Sequence, residues 1–174
     1  GGPILAIADS LAREDEGPKY AEAAISHLRA CALINQLDNG LYQHSPLDPT
    51  AWGRGNGFAA LGASMCLSLL SPEVAGYEQV KHKFIRQINE LVKHQDATGS
   101  WHQVVDHPES YPEFTSTCMI ASAILIGIEY GVLQRDDYRH VIVQAKSATL
   151  RRIAPGGFIN DVCTGTGKQK NLRA

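Results

Sequence analysis

Arg54 stands between glycines in the run Trp52-Gly53-Arg54-Gly55-Asn56-Gly57-Phe58, and this run is well equipped to hold an anionic, hydroxyl-rich ligand. A guanidinium presents a planar fork of donors that matches a carboxylate. The alternating glycines let backbone approach a ligand closely, and a helix beginning at about Gly57 would turn its N–H end toward the same anion. The run is not followed by Lys-Ser/Thr and no strand pattern precedes it, so neither nucleotide-phosphate fingerprint is met.

Two further stretches carry aromatic residues beside planar polar groups: Tyr42-Gln43-His44 and Trp101-His102-Gln103. Sugars are held this way, ring faces on aromatic planes and hydroxyls on amide, imidazole or guanidinium groups. The bland reading of such aromatics is that they seal a core with their polar tips in water. Metal ligation has little support, because His44, His102 and His107 lack the H-E-x-x-H spacing or anything comparable. No G-x-S-x-G elbow is present for a serine nucleophile. The candidate binding set is therefore Tyr42, His44, Trp52, Arg54, Asn56, Phe58, Trp101, His102 and Gln103.

The elements that must position these residues read as helices throughout. Ile4, Leu5, Ala8 and Leu11 predict a first short helix that stops near Gly17-Pro18. Pro18 suits the first turn of a second helix running to about Asn35. A third helix is expected from Gly57 to Leu70, and Ser71-Pro72 reads as the cap of a fourth. The fourth carries the apolar stripe Tyr77, Val80, Phe84, Ile88, Leu91 and Val92. Ser110 with Glu113 fits a capping box before a fifth helix, Thr115 to about Tyr130, which is apolar nearly all round and should be buried. Asp136 and Asp137 favour the start of a sixth, ending near Pro155-Gly156-Gly157.

An internal repeat underlies this order. The turns 39–44, 98–103 and 156–161 each place a glycine, then an aromatic or aliphatic residue, then polar groups, and Gly40, Gly99 and Gly157 recur 59 and 58 residues apart. Glycine suits the left-handed end of a helix. Helical hairpins at this period point to a solenoid or a closed α/α toroid. The expectation is one domain over residues 1–174, all-α, with three helix pairs forming about half of an (α/α)6 barrel.

Composition bounds what remains. The chain has 174 residues, 44% of them hydrophobic, enough for one real core, and a net charge of -2 argues against a nucleic-acid partner. No apolar run reaches the roughly 20 residues of a membrane helix. Cys31, Cys66, Cys118 and Cys163 form no C-x-x-C pair and read as reduced, mostly buried thiols. The start Gly1-Gly2-Pro3 and the polar run Lys168 to Ala174 both read as cut ends. No signal-peptide pattern is present, and the cytoplasm is the favoured but unassigned location.

Five ordered motifs resemble glycoside hydrolase family 105, the unsaturated rhamnogalacturonyl hydrolases, related to the glucuronyl hydrolases of family 88. Trp52 to Phe58 resembles W-x-R-G-N-G-W, with Phe58 where a stacking Trp is usual. Gly40-Leu41-Tyr42-Gln43-His44 resembles G-L-[YF]-x-H, and Gly99 to Asp106 resembles G-x-W-x-Q-V-x-D. Pro108 to Thr117 resembles P-x-S-Y-x-E-x-S/T-x-T, and Val162 to Gly167 matches V-C-x-G-T-G. The resemblance covers essentially the whole chain. It implies an (α/α)6 barrel and an enzyme that protonates C4 of a 4,5-unsaturated uronic acid and hydrates C5. It implies no metal or organic cofactor, an unsaturated uronyl oligosaccharide as partner, and a role in pectin degradation. Arg54 would contact the substrate carboxylate and His44 would face the site. The family's catalytic Asp lies in a D-x-x-[FY]-M motif that would fall upstream of Gly1, so this chain is expected to hold mainly the binding half and to be inactive alone. Other toroid enzymes, a polysaccharide lyase or a sugar epimerase, and a non-catalytic helical-repeat module are the competing readings.

Overall fold

The computed structural model describes residues 1–12, 19–160 and 162–163. Its elements are α1 (Gly2–Leu11), α2 (Lys19–Asn35), α3 (Gly53–Leu69), α4 (Tyr77–Lys93), α5 (Phe114–Glu129) and α6 (Arg135–Leu150). The chain is all-helical, as its periodicity predicts. Among the described residues no helix is long and apolar enough to cross a membrane. The expected break at Gly17-Pro18 lies outside the described residues.

The helices stack in two layers. α1, α3 and α5 pack side by side, and α2, α4 and α6 back them. α4 shows why: its stripe Tyr77, Val80, Phe84, Ile88 and Leu91 is buried, while Lys81 and Lys93 pair with Glu78 and Glu90 on the wet face. α5 buries Phe114, Met119, Ile120, Ala123, Ile124 and Gly127 between its neighbours. Asp9 of α1 accepts the Ala21 N–H at 2.9 Å and so caps the open end of α2 from outside.

The repeat is visible bond by bond. Leu37, Asp96 and Ala154 each donate to the carbonyl four residues on, Leu41, Ser100 and Phe158, at 2.8, 2.9 and 2.7 Å. In the same turns Gly40, Gly99 and Gly157 donate back to Leu37, Asp96 and Ala154. These glycines have φ of 106, 87 and 85°, the left-handed region that a side chain would strain. Gln36 and Gln95 sit at equivalent positions. Gln36 Nε2 bonds the carbonyls of Gly40 and Lys83, and Gln95 Nε2 those of Gly99 and Val141. The three turns share one end of the layered stack, because the helices alternate in direction.

Three boundaries differ from the sequence reading. α3 begins at Gly53, not Gly57, so the glycine-rich run is the first turn of the helix rather than a loop before it. The reason is packing on α5: a Cβ at Gly53 would strike the His102 carbonyl, and one at Gly57 would lie 2.9 Å from Met119 Cε. α4 begins at Tyr77 behind Gly76. Ser71 Oγ accepts the Glu73 N–H at 3.3 Å and closes a turn instead of capping the helix. α5 is capped by Glu113 itself, which takes the N–H groups of Thr115 and Ser116, while Ser110 bonds within its own loop.

Candidate functional site

The loops 36–52 and 94–113 lead into the N-termini of α3 and α5 and carry the site. They are stitched together by main chain. Gly53 N donates to Gln103 O at 2.8 Å, Val105 N to Ala51 O at 2.9 Å, and Trp52 pairs with Val104. The start of α3 is thus held against the second repeat turn.

Two of the nine candidate residues, Asn56 and Trp101, lie in the core. Asn56 is fully buried: its Oδ1 accepts the Tyr42 N–H at 2.8 Å, and its Nδ2 donates to the carbonyls of Tyr42 and Trp52. Gln87 Nε2 closes the cluster on the Asn56 carbonyl at 3.0 Å. Trp101 is also fully buried and donates its indole N–H to Leu91 O at 2.7 Å. Both satisfy neighbouring backbone groups.

His102 is nearly buried and committed on both nitrogens, Nδ1 to Ser110 O and Nε2 to Asp96 Oδ2 at 3.0 Å. Burial alone would raise the Asp96 carboxyl. Hydrogen bonds from Thr98, Ser100 and His102 overcome it and hold the group below its ordinary value. Gln103, next along, has a buried Oε1 with no hydrogen-bond partner among the described residues. An acceptor left unpaired in this way is costly unless something fills it.

Three candidates remain at the outer face of the loops. His44 is exposed and meets the half-buried Trp52 edge to face, centroids 6.5 Å apart and planes at 73°. Arg54 is half-buried in the first turn of α3. Its charge is felt by the Tyr111 phenol, which burial, then a hydrogen bond with Cys163, push up to about 12 against the pull of Arg54. Tyr42 and the exposed Phe58 face elsewhere, lining a cavity of about 540 Å³ between α1, α2, α3 and α4. Burial pushes the Tyr42 phenol up to about 12.

Two residues outside the candidate binding set join this group. Asp48 sits on the loop between His44 and Trp52. Its carboxyl is held low by the Thr50 side chain and backbone, then by the Trp52 side chain and the charge of His44. Tyr111 lies by Arg54 and belongs to the P-x-S-Y stretch, so a signal for it existed. Among the described residues no disulfide joins Cys31, Cys66, Cys118 or Cys163; Cys66 is buried and the others half-buried.

The model of Glycosyl Hydrolase Family 88 matches residues 7–173. The chain belongs to this family. The unsaturated rhamnogalacturonyl hydrolase YesR of Bacillus subtilis strain 168 is 31% identical over 134 residues, 77% of this chain and 36% of YesR. Among solved structures, a family 88 glycosyl hydrolase from Bacteroides vulgatus matches with a TM-score of 0.87 at 21% identity, over 96% of this chain and 51% of that one. A possible family 105 member from Salmonella enterica serovar Paratyphi A gives a TM-score of 0.80 at 27% identity, covering 90% and 44%. This family 88 chain thus spans about a third of the curated relative and about half of these structures.

Proposed function

We propose that this chain is the carbohydrate-binding portion of a family 88 hydrolase that acts on 4,5-unsaturated uronyl oligosaccharides. The observation that carries the proposal is the placement of Arg54. It stands in the first turn of α3, close enough for its charge to act on the Tyr111 phenol, with the His44–Trp52 ring pair just before it in the chain. A uronate carboxylate there would meet a planar guanidinium and the positive end of a helix together. Trp52 and His44 offer a ring face and a polar edge to the sugar, and the unpaired Gln103 Oε1 offers a hydroxyl acceptor. Tyr42 and Phe58 would act from the neighbouring cavity wall.

In the reaction proposed, a carboxylic acid delivers a proton to C4 of the C4=C5 bond. Water adds its oxygen to C5 and returns a proton to the carboxylate. The resulting hemiketal opens, the bond to the neighbouring sugar breaks, and an unsaturated-uronate-derived keto acid leaves. We assign the acid to the Asp of the D-x-x-[FY]-M motif of the resemblance, a run that residues 1–174 do not contain. Arg54 then holds the substrate so that C4 faces that acid.

Arg54→Ala and Arg54→Lys test this in the complete enzyme on an unsaturated rhamnogalacturonan disaccharide, followed by loss of the alkene absorbance. Losing a charge-assisted contact costs roughly 1.5–3 kcal/mol, so kcat/KM should fall about 10- to 150-fold. Lysine should not restore it, since a point charge does not replace the fork. Unchanged kcat/KM in both variants refutes the carboxylate role.

A further inference from the structure

The loop that carries His44 closes tightly on itself. His44 N donates to Thr50 O at 2.9 Å, Ser45 and Asp48 exchange backbone bonds at 3.1 and 3.0 Å, and Thr50 N donates to Asp48 Oδ1 at 3.1 Å. Asp48 is therefore pinned by its own turn four residues from each member of the His44–Trp52 pair. Its other donors are the Thr50 hydroxyl and the Trp52 side chain, whose only donor is the indole N–H. The result is a fixed negative charge at the edge of an aromatic platform. The positive group, Arg54, sits two residues beyond Trp52 inside α3. The face of the site is thus divided, cationic at the helix start and anionic on the loop.

A ligand with one carboxylate and one neutral sugar fits this division; a ligand with a second anionic group on the neighbouring sugar meets Asp48. We infer that Asp48 is a specificity-determining residue that disfavours sulfated or otherwise anionic sugars next to the unsaturated uronate. The inference rests on the carbohydrate reading of this site. Because Asp48 is only half-buried on a surface loop, its influence is screened and modest, a few-fold in affinity and salt-dependent.

Asp48→Asn tests it without relying on catalysis. Trp101 is fully buried, so collisional quenching of tryptophan fluorescence reports Trp52. In the full chain at constant ionic strength, the substitution should raise the iodide quenching constant about twofold and lower that of caesium. Quenching by neutral acrylamide should stay the same. Unchanged iodide and caesium constants, or a parallel change with all three quenchers, overturn the fixed-charge assignment.

The second arm titrates two unsaturated disaccharides, one with a neutral and one with a sulfated neighbouring sugar, by Trp52 fluorescence. The preference for the neutral over the sulfated sugar should be about two- to five-fold greater in wild type than in the variant, with the difference lost at high salt. Binding of both sugars with no change in that ratio refutes the role of Asp48 alone. Binding of neither refutes the carbohydrate reading and this inference together.

Discussion

Replacing Asn56 by alanine should cost more stability than any other polar substitution at the start of α3. The side chain makes three short bonds, from Tyr42 N at 2.8 Å, to Tyr42 O at 2.9 Å and to Trp52 O at 3.1 Å, with a longer one from Gln87 at 3.4 Å. At about 0.5–1.5 kcal/mol net for each, three bonds contribute roughly 1.5–4.5 kcal/mol. Alanine also leaves the Tyr42 N–H without its acceptor in a site closed to water, which brings the expected loss to about 3–5 kcal/mol. In a chain of this size that corresponds to roughly 6–20 °C in Tm. Thermal and urea unfolding of the full chain by far-ultraviolet circular dichroism measure it. Asn56→Asp should be no better, because it keeps the acceptor but turns a carboxylate oxygen toward two carbonyls. A loss under about 1 kcal/mol would show that the loop and α3 are held by other means and would reopen Asn56 as a ligand contact.

Gly55→Ala should stabilise the chain by about 0.5–1 kcal/mol, since the new Cβ meets only Trp52 Cβ at 3.6 Å and the position is helical. Gly53→Ala should destabilise it, because the same methyl two residues earlier strikes the His102 carbonyl; equal melting temperatures for the two variants would contradict the packing. Glu113→Ala removes the cap of α5 and should cost about 1–2 kcal/mol, most of it restored by Glu113→Asp or Glu113→Gln if capping is the reason. Asp96 has a carboxyl held below its ordinary value of 3.8, so its contribution is present above that pH and is lost as pH falls through the lower folded value. Asp96→Asn should therefore flatten the acid limb of a stability-versus-pH curve, and an unchanged limb would place the acid sensitivity elsewhere.

The repeat and the helical class were readable because glycine is nearly obligatory where φ is positive, and Gly40, Gly99 and Gly157 mark the turns at almost equal intervals. Which way a polar or aromatic side chain points was not readable. Asn56 and Trp101 have the composition of a sugar site, yet each is spent on backbone groups of an adjacent segment, a long-range pairing that spacing does not encode. Glycine-rich sequence also has two physical meanings. At Gly53 and Gly57 it serves close approach of α5, not of a ligand, and this shifts the start of α3 by a turn. Glu113 was found but given the wrong part in the cap, because a carboxylate three residues after a serine fits a capping box and a simple cap alike. Asp48 was legible only as one of several acids in the chain, because its placement depends on a loop that folds upon itself rather than on a motif of the residues around it.

The two glutamines that reach from a turn to the next outer helix bear on how the molecule comes apart. Gln36 holds Lys83 O and Gln95 holds Val141 O, so each turn is anchored to a hairpin that follows it in the chain. The turn closes on its own backbone bonds, and the glutamine ties that closed turn to the hairpin that follows. Unfolding should accordingly spread from one hairpin to the next as a linked event, with amide exchange protection in the turns following the stability of the later hairpin and not the earlier one. Gln95→Ala would weaken one tie between the second and third hairpins, leaving the α3–α5 packing in place, and should lower amide protection in the 95–100 turn while the loop around Arg54 stays closed.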